Sequence, residues 1–145
     1  MSTTFEEFQE KFETDRLLIA RSTHWTWSAR AKHTTLGAGV LSLNRYCTAF
    51  SDITPEEAID LATISETIET KLKQAFKAEK FNYLMLMMVD AHLHYHVIPR
   101  YSGPREFAGR TWTDSGWPAL PALKDSPDLS EDNALIAVIE ALKSA

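Results

Sequence analysis

His92-Leu93-His94-Tyr95-His96-Val97-Ile98-Pro99-Arg100 places three histidines at alternate positions of a short apolar stretch. Successive side chains of a strand point to opposite faces, so His92, His94 and His96 share one face and Leu93, Tyr95 and Val97 the other. The strand rise sets neighbouring imidazoles roughly 6–7 Å apart along the row. Each ring has an ordinary pKa of about 6.5, so the row can exchange protons near neutrality. The chain has only five histidines, and three of them gathered on one face point to chemistry. The alternative is a surface strand whose polar side happens to carry histidine.

The row has two chemical readings. As a metal site, two histidines at i and i+2 can converge on one ion, but the third lies about 13 Å from the first, beyond the ~2 Å bond of a shared zinc. Asp90 with His92 and His94 is left as a partial ligand set. As a phosphoryl-transfer site the row is complete. Neutral imidazole is a nucleophile near pH 7, so His94 can attack phosphorus while His92 and His96 orient it, touch phosphate oxygens or pass a proton.

Composition sets the frame. At 145 residues, 44% hydrophobic and 24% charged, the chain is expected to form one domain over 1–145. A net charge of −5 argues against a non-specific nucleic-acid surface. Cys47 is the only cysteine, so neither an internal disulfide nor a thiolate metal cluster can form. Met1 to Lys11 has no basic start followed by an apolar run, so no signal peptide is expected. The longest apolar run, Tyr83 to Val89, is too short to span a bilayer. The expectation is a soluble cytoplasmic protein with no nucleic-acid or membrane partner.

Working outward from the row, Thr4-Phe5-Glu6-Glu7 fits a capping box, with Phe5, Phe8 and Phe12 at helical spacing behind it. Short strands are expected over Leu17–Ala20, Trp25–Ser28 and Leu36–Leu43, where Gly37 and Gly39 allow close backbone approach. Thr54-Pro55-Glu56-Glu57 is a second capping box with proline in the first helical position. Leu61, Ile64, Ile68, Leu72 and Phe76 then predict one long helix from Pro55 to about Ala78. Tyr83–Val89 reads as a buried strand pairing with the histidine strand around Asp90-Ala91, although that turn lacks glycine. Residues 99–127 form an irregular segment placed to fold over the site as a lid or wall. Ser130-Glu131-Asp132 opens a final helix over about 130–143.

The row with its apolar spacers is similar to the signature of the histidine triad superfamily, His-φ-His-φ-His-φ-φ with φ apolar, and Pro99-Arg100 resembles its fragile-histidine-triad and dinucleoside-polyphosphate hydrolase branch. The order of strands, long helix, strand and histidine strand over about 17–100 also fits. The resemblance implies an α+β fold: a HIT-like antiparallel sheet with one long helix and a C-terminal helix. It implies a homodimer that cleaves a nucleoside monophosphate from a second group, with no cofactor. His94 takes the role of nucleophile, forming a nucleotidyl-imidazole intermediate. His92 and His96 position it and contact the phosphates and leaving group. The substrate would be a dinucleoside polyphosphate, a nucleoside phosphoramidate or an adenylylated conjugate.

The chain departs from that pattern in two places. The polar, glycine-containing loop usual before the triad is replaced by Met87-Met88-Val89-Asp90-Ala91, and Asp90 repels a phosphate unless paired. This keeps open a nucleotide-binding regulator with little turnover, as it does the metalloprotein reading. Asn44-Arg45-Tyr46 stands where a lysine or histidine is usual, and Arg45 can serve as a phosphate clamp. With Arg100, Asn82 and Trp117 it completes the candidate substrate contacts. Other features read as ordinary: Gly37-Ala38-Gly39 lacks the third glycine of a dinucleotide fingerprint, Trp25 and Trp27 fit a core, and Met85, Met87 and Met88 fit buried filler. His24 and His33 read as structural or exposed.

Overall fold

The structure, a computed structural model, describes residues 4–145; residues 1–3, part of the stretch read for a leader, lie outside them. Both capping boxes close. Thr4 accepts from the Glu7 N–H at 3.1 Å and starts α1 (Phe5–Phe12). Thr54 accepts from the Glu57 N–H at 3.2 Å while the Glu57 carboxylate accepts from the Thr54 N–H at 2.9 Å, and α2 (Pro55–Phe76) follows. Each box satisfies amide donors that a helix start leaves without partners. The buried stripe of α2 is Ile64, Ile68, Leu72 and Phe76, at the spacing of one helix face.

Five strands form one antiparallel sheet: β1 (Leu18–Arg21), β2 (Trp25–Ala29), β3 (Gly39–Leu43), β4 (Lys80–Leu84) and β5 (His94–Arg100), in the order β1-β2-β3-β5-β4. With α2 and the C-terminal helix α3 (Asn133–Ser144) this is the expected α+β architecture. Trp25 and Trp27 are fully buried and join Leu41, Leu43, Leu93 and Val97 in the main core with residues of α2 and α3. The opposite face carries a smaller cluster of Phe8, Phe12 and Val40 under α1. Gly39 shows the close approach expected of it: a Cβ there would stand 2.6 Å from the Ser28 carbonyl oxygen. Among the described residues no helix is long and apolar enough to cross a membrane.

Two expectations are corrected. The strand read over Tyr83–Val89 ends at Leu84, which pairs with His96, and the chain then loops out. Leu86, Met88 and Val89 are 56%, 83% and 71% exposed, so apolar content there marks a loop. The segment 99–127 does not fold over the histidines. β6 (Arg105–Phe107) and β7 (Arg110–Trp112) form a hairpin turning at Ala108 and Gly109, both at positive φ as a tight hairpin turn requires. Arg105 donates to the carbonyls of Phe76 and Lys77, acceptors that the end of α2 leaves over. Phe107 packs on Phe76 at 5.0 Å, so the segment is drawn to the far end of α2.

Arg100 anchors that segment. Its Nε donates to Asp114 at 2.7 Å, and other donors reach Asp114, the Asn82 side chain and the Ala119 carbonyl. The side chains of Arg100 and Asp114 are 5% and 1% exposed. Removing one member of a buried pair strands the other charge, which costs about 3–5 kcal/mol. Asp114→Ala is therefore expected to lower the unfolding free energy by about that amount in a urea titration. A loss below about 1 kcal/mol, the size of an exposed pair, would contradict this anchoring.

Candidate active site

His94 and His96 lie within β5, and His92 sits just before it, beyond the end of the β4 ladder. Ser42 and Val40 of β3 stand opposite His94 and His96, so all four share the face that α1 covers. The rings of His94 and His96 meet edge to face, with centroids 5.0 Å apart.

Hydrogen bonds decide what each ring can do. Nδ1 of His94 lies 2.5 Å from the His92 carbonyl oxygen, which can only accept, so Nδ1 carries the proton. The lone pair is then on Nε2, which has no hydrogen-bond partner among the described residues. His92 is fixed at both nitrogens: Nε2 donates to the Leu43 carbonyl at 2.9 Å, and Nδ1 accepts from the Cys47 N–H at 3.3 Å. The His92 ring is held by the backbone at both nitrogens, and its own carbonyl orients His94. Nδ1 of His96 is buried without a partner.

The cover over this row comes from α1. Phe5 and Phe8 pack on His92 at 4.8 and 4.9 Å, Phe8 on His94 at 4.9 Å, and Phe12 on His94 and His96 at 5.7 and 6.2 Å. A helix face repeats every three or four residues, about 4.5–6 Å, and a strand face every two, about 6.6 Å. Three aromatics of a helix lying along β5 therefore meet three histidines. The result leaves His92 fully buried and His94 2% exposed. Lys11, at the end of α1, bridges to Asp90 at 2.7 Å and ties the cover to the loop before the triad. That pairing answers the charge expected to repel phosphate.

Burial disfavours the charged form of an imidazole, and all three histidine pKa values are lowered chiefly for that reason. His96 falls to about 4, with the nearby Arg30 adding to the effect and Asp90 opposing it. The row is neutral at pH 7, the state in which an imidazole can act as a nucleophile.

The chemistry of this face has a counterpart in sequence. Residues 40–103, from the middle of the sheet through the triad, match the family model described as HIT domain. That stretch, with the triad inside it, is similar to the HIT domain family. Solved HIT structures share its fold. A hypothetical histidine triad nucleotide-binding protein from Sulfolobus tokodaii superposes with a TM-score of 0.66 at 15% identity, over 88% of this chain and 81% of the other. A histidine triad protein from Marinobacter aquaeolei gives 0.66 at 20%, over 90% and 91%. A diadenosine triphosphate hydrolase from Plasmodium falciparum gives 0.62 at 14%, over 90% and 76%. No curated protein sequence is significantly similar to the chain.

Within this HIT fold the other candidate contacts lie elsewhere than expected. Arg45 is clamped by Glu57 at 2.8 and 3.0 Å and by the Asp52 carbonyl, which ties the β3–α2 connection to the start of α2. Arg100 and Asn82 are joined to each other and to the 99–127 segment, at the opposite end of β5 from His92. Trp117 is half-buried beside Asp114, whose carbonyl accepts its backbone N–H. In this structure the side chains of Arg45, Arg100 and Asn82 are engaged with other parts of the protein. The alternative metal set does not assemble either: Asp90 binds Lys11, both His92 nitrogens face backbone, and no three His, Cys, Asp or Glu side chains converge among the described residues. Sequence reasoning missed the cover and two cations beside His96, Lys11 and Arg30. The phenylalanine spacing was the available signal for the first; nothing local marked Arg30.

His33 is also fully enclosed, its Nδ1 donating to the Arg30 carbonyl and its Nε2 accepting from Gly37, with a pKa lowered to about 4. As pH falls below about 6.5 the unfolded chain takes up protons that these folded histidines refuse. Stability is therefore full above about pH 6.5 and lost as pH falls toward 4. Ring-carbon NMR shifts of His33 and His96 are expected to stay in the neutral form through pH 6, while the urea midpoint drops over the same range. A midpoint near 6.5 for either ring would overturn the buried-neutral description.

Proposed function

We propose that this chain is a nucleotide hydrolase or nucleotidyl transferase acting at the alpha-phosphate of a dinucleoside polyphosphate or related nucleotide conjugate, through a covalent nucleotidyl intermediate on His94. The observation that carries the reading is the hydrogen bond from His94 Nδ1 to the His92 carbonyl. It holds the lone pair on Nε2 and stabilises the positive charge that grows on the ring as Nε2 bonds to phosphorus. The described nucleotide-binding and diadenosine triphosphate hydrolase neighbours support the substrate class.

In the first step Nε2 bonds to phosphorus while the bond to the leaving oxygen or nitrogen breaks; that atom departs with the electron pair and takes a proton from water. In the second step water attacks the phosphorus and gives up a proton to solvent, which balances the one taken in the first step, while the P–N bond breaks and the pair returns to Nε2. His96, neutral beside His94, offers its N–H to a phosphate oxygen. With His94 2% exposed, the phosphorus reaches it only after α1 shifts, so the Phe8 and Phe12 contacts are exchanged for contacts with substrate. We also place the protein in the cytoplasm as a homodimer. The unpaired edge of β4 and the exposed Leu86, Met88 and Val89 beside it support a self-association surface.

His94→Ala is expected to lower kcat/KM on diadenosine polyphosphates by about 10³-fold or more, with an unchanged circular dichroism spectrum. The acid-labile adduct trapped on the unsubstituted protein should vanish with it. An adduct that survives the substitution excludes His94 as nucleophile. Tight nucleotide binding with no turnover over hours would instead favour a nucleotide-binding regulator, a reading that the closed cover supports.

A further inference from the structure

Beside His96, between the end of α1, the strand end at Arg30 and the 128–130 turn, lies a cavity of about 300 Å³. Its charged lining is uneven in one respect. Each carboxylate has a partner: Asp90 binds Lys11 at 2.7 Å, Glu13 binds Arg16, and Asp128 accepts from the Ser130 N–H. Arg30 makes no hydrogen bond and no ion pair among the described residues; the half-buried side chain feels Asp90 only at longer range, and burial lowers its pKa. A guanidinium has five donors in a fork that fits phosphate.

The sheet register aims this group at the site. Ser28 stands opposite Val40, and Val40 opposite His96, so the three share one face. Arg30, two residues past Ser28, continues that face, with its N–H donating to the Ala38 carbonyl. Two strand spacings, about 9.6 Å, separate β2 from β5. An extended arginine and one phosphate fill that gap. His96 lines the same cavity from the other side, with Nδ1 unpartnered.

We infer that the cavity between Arg30 and His96 is a subsite for a second phosphate of the substrate, tethered to the phosphorus that His94 attacks. The inference rests on the nucleotide reading above and adds a requirement to it: substrates with a second phosphate are preferred, and Arg30 sets that preference. The second phosphate has two possible sources, the polyphosphate chain or a phosphate on the ribose.

Titration calorimetry on the full chain separates them, with adenosine monophosphate, adenosine diphosphate and adenosine 3′,5′-bisphosphate as probes. The unsubstituted protein should bind one of the two doubly phosphorylated probes about 10-fold or more tighter than the monophosphate, the worth of a charge-assisted pair. Arg30→Gln should abolish that preference while leaving monophosphate binding within about 2-fold, and Arg30→Lys should retain part of it. In kinetics, Arg30→Gln should raise KM for the preferred class by a larger factor than it changes kcat. Equal binding of all three probes, or a preference that survives Arg30→Gln, overturns this inference and leaves the nucleotide reading standing. Failure of all three to bind overturns both.

Discussion

Alternation along β5 governs the molecule. A central strand with partners on both sides must present successive residues to opposite faces, and these two faces meet different elements. Val97 turns into the core with Trp25, Trp27 and the residues of α2 and α3. His94 and His96 turn the other way and meet α1. A slip of one residue in register would exchange the two sets, putting imidazoles into the main core and aliphatic groups under the cover. The fold and the histidine row are therefore specified by one register.

Desolvation on the histidine face does two kinds of work. It keeps the imidazoles neutral, and it strengthens each hydrogen bond made there, because little water competes. His92 illustrates the division of labour within the row. Its ring is locked by Leu43 and Cys47, and its carbonyl fixes the proton of His94. The middle ring is left with its lone pair on Nε2 by the geometry of its neighbours. At the other end of β5, Arg100 serves stability instead, holding the 99–127 segment against the sheet through Asp114, Asn82 and Ala119.

Local signals were the legible part. Thr4-Glu7 and Thr54-Glu57 mark helix starts because a capping box closes within four residues, and the His-apolar alternation marks β5 because a strand face repeats every two. Less legible was whatever a partner distant in sequence decides. Arg45 stands out by its place before the long helix and Arg100 by adjoining the triad, but no spacing rule relates them to Glu57 and Asp114, with which the structure pairs them. Tyr83–Val89 had the apolar content of a buried strand, but the ladder with β5 ends at Leu84, and Leu86 to Val89 face outward. Arg30 was invisible for the same reason: only the sheet register brings it to the face of His96.

The length of α1 has a consequence of its own. Eight residues fall short of the roughly 12–15 that an isolated helix needs to hold together in water, whatever its cap. The coil-forming tendency of Phe5–Phe12 is overcome by the imidazoles and Val40 beneath it, with the Lys11–Asp90 bridge at its end. Lifted off the sheet, the segment loses its helical state as well as its contacts. Exposure of the row is then a local melting equilibrium rather than the swing of a rigid flap, with a temperature dependence set by that small cooperative unit.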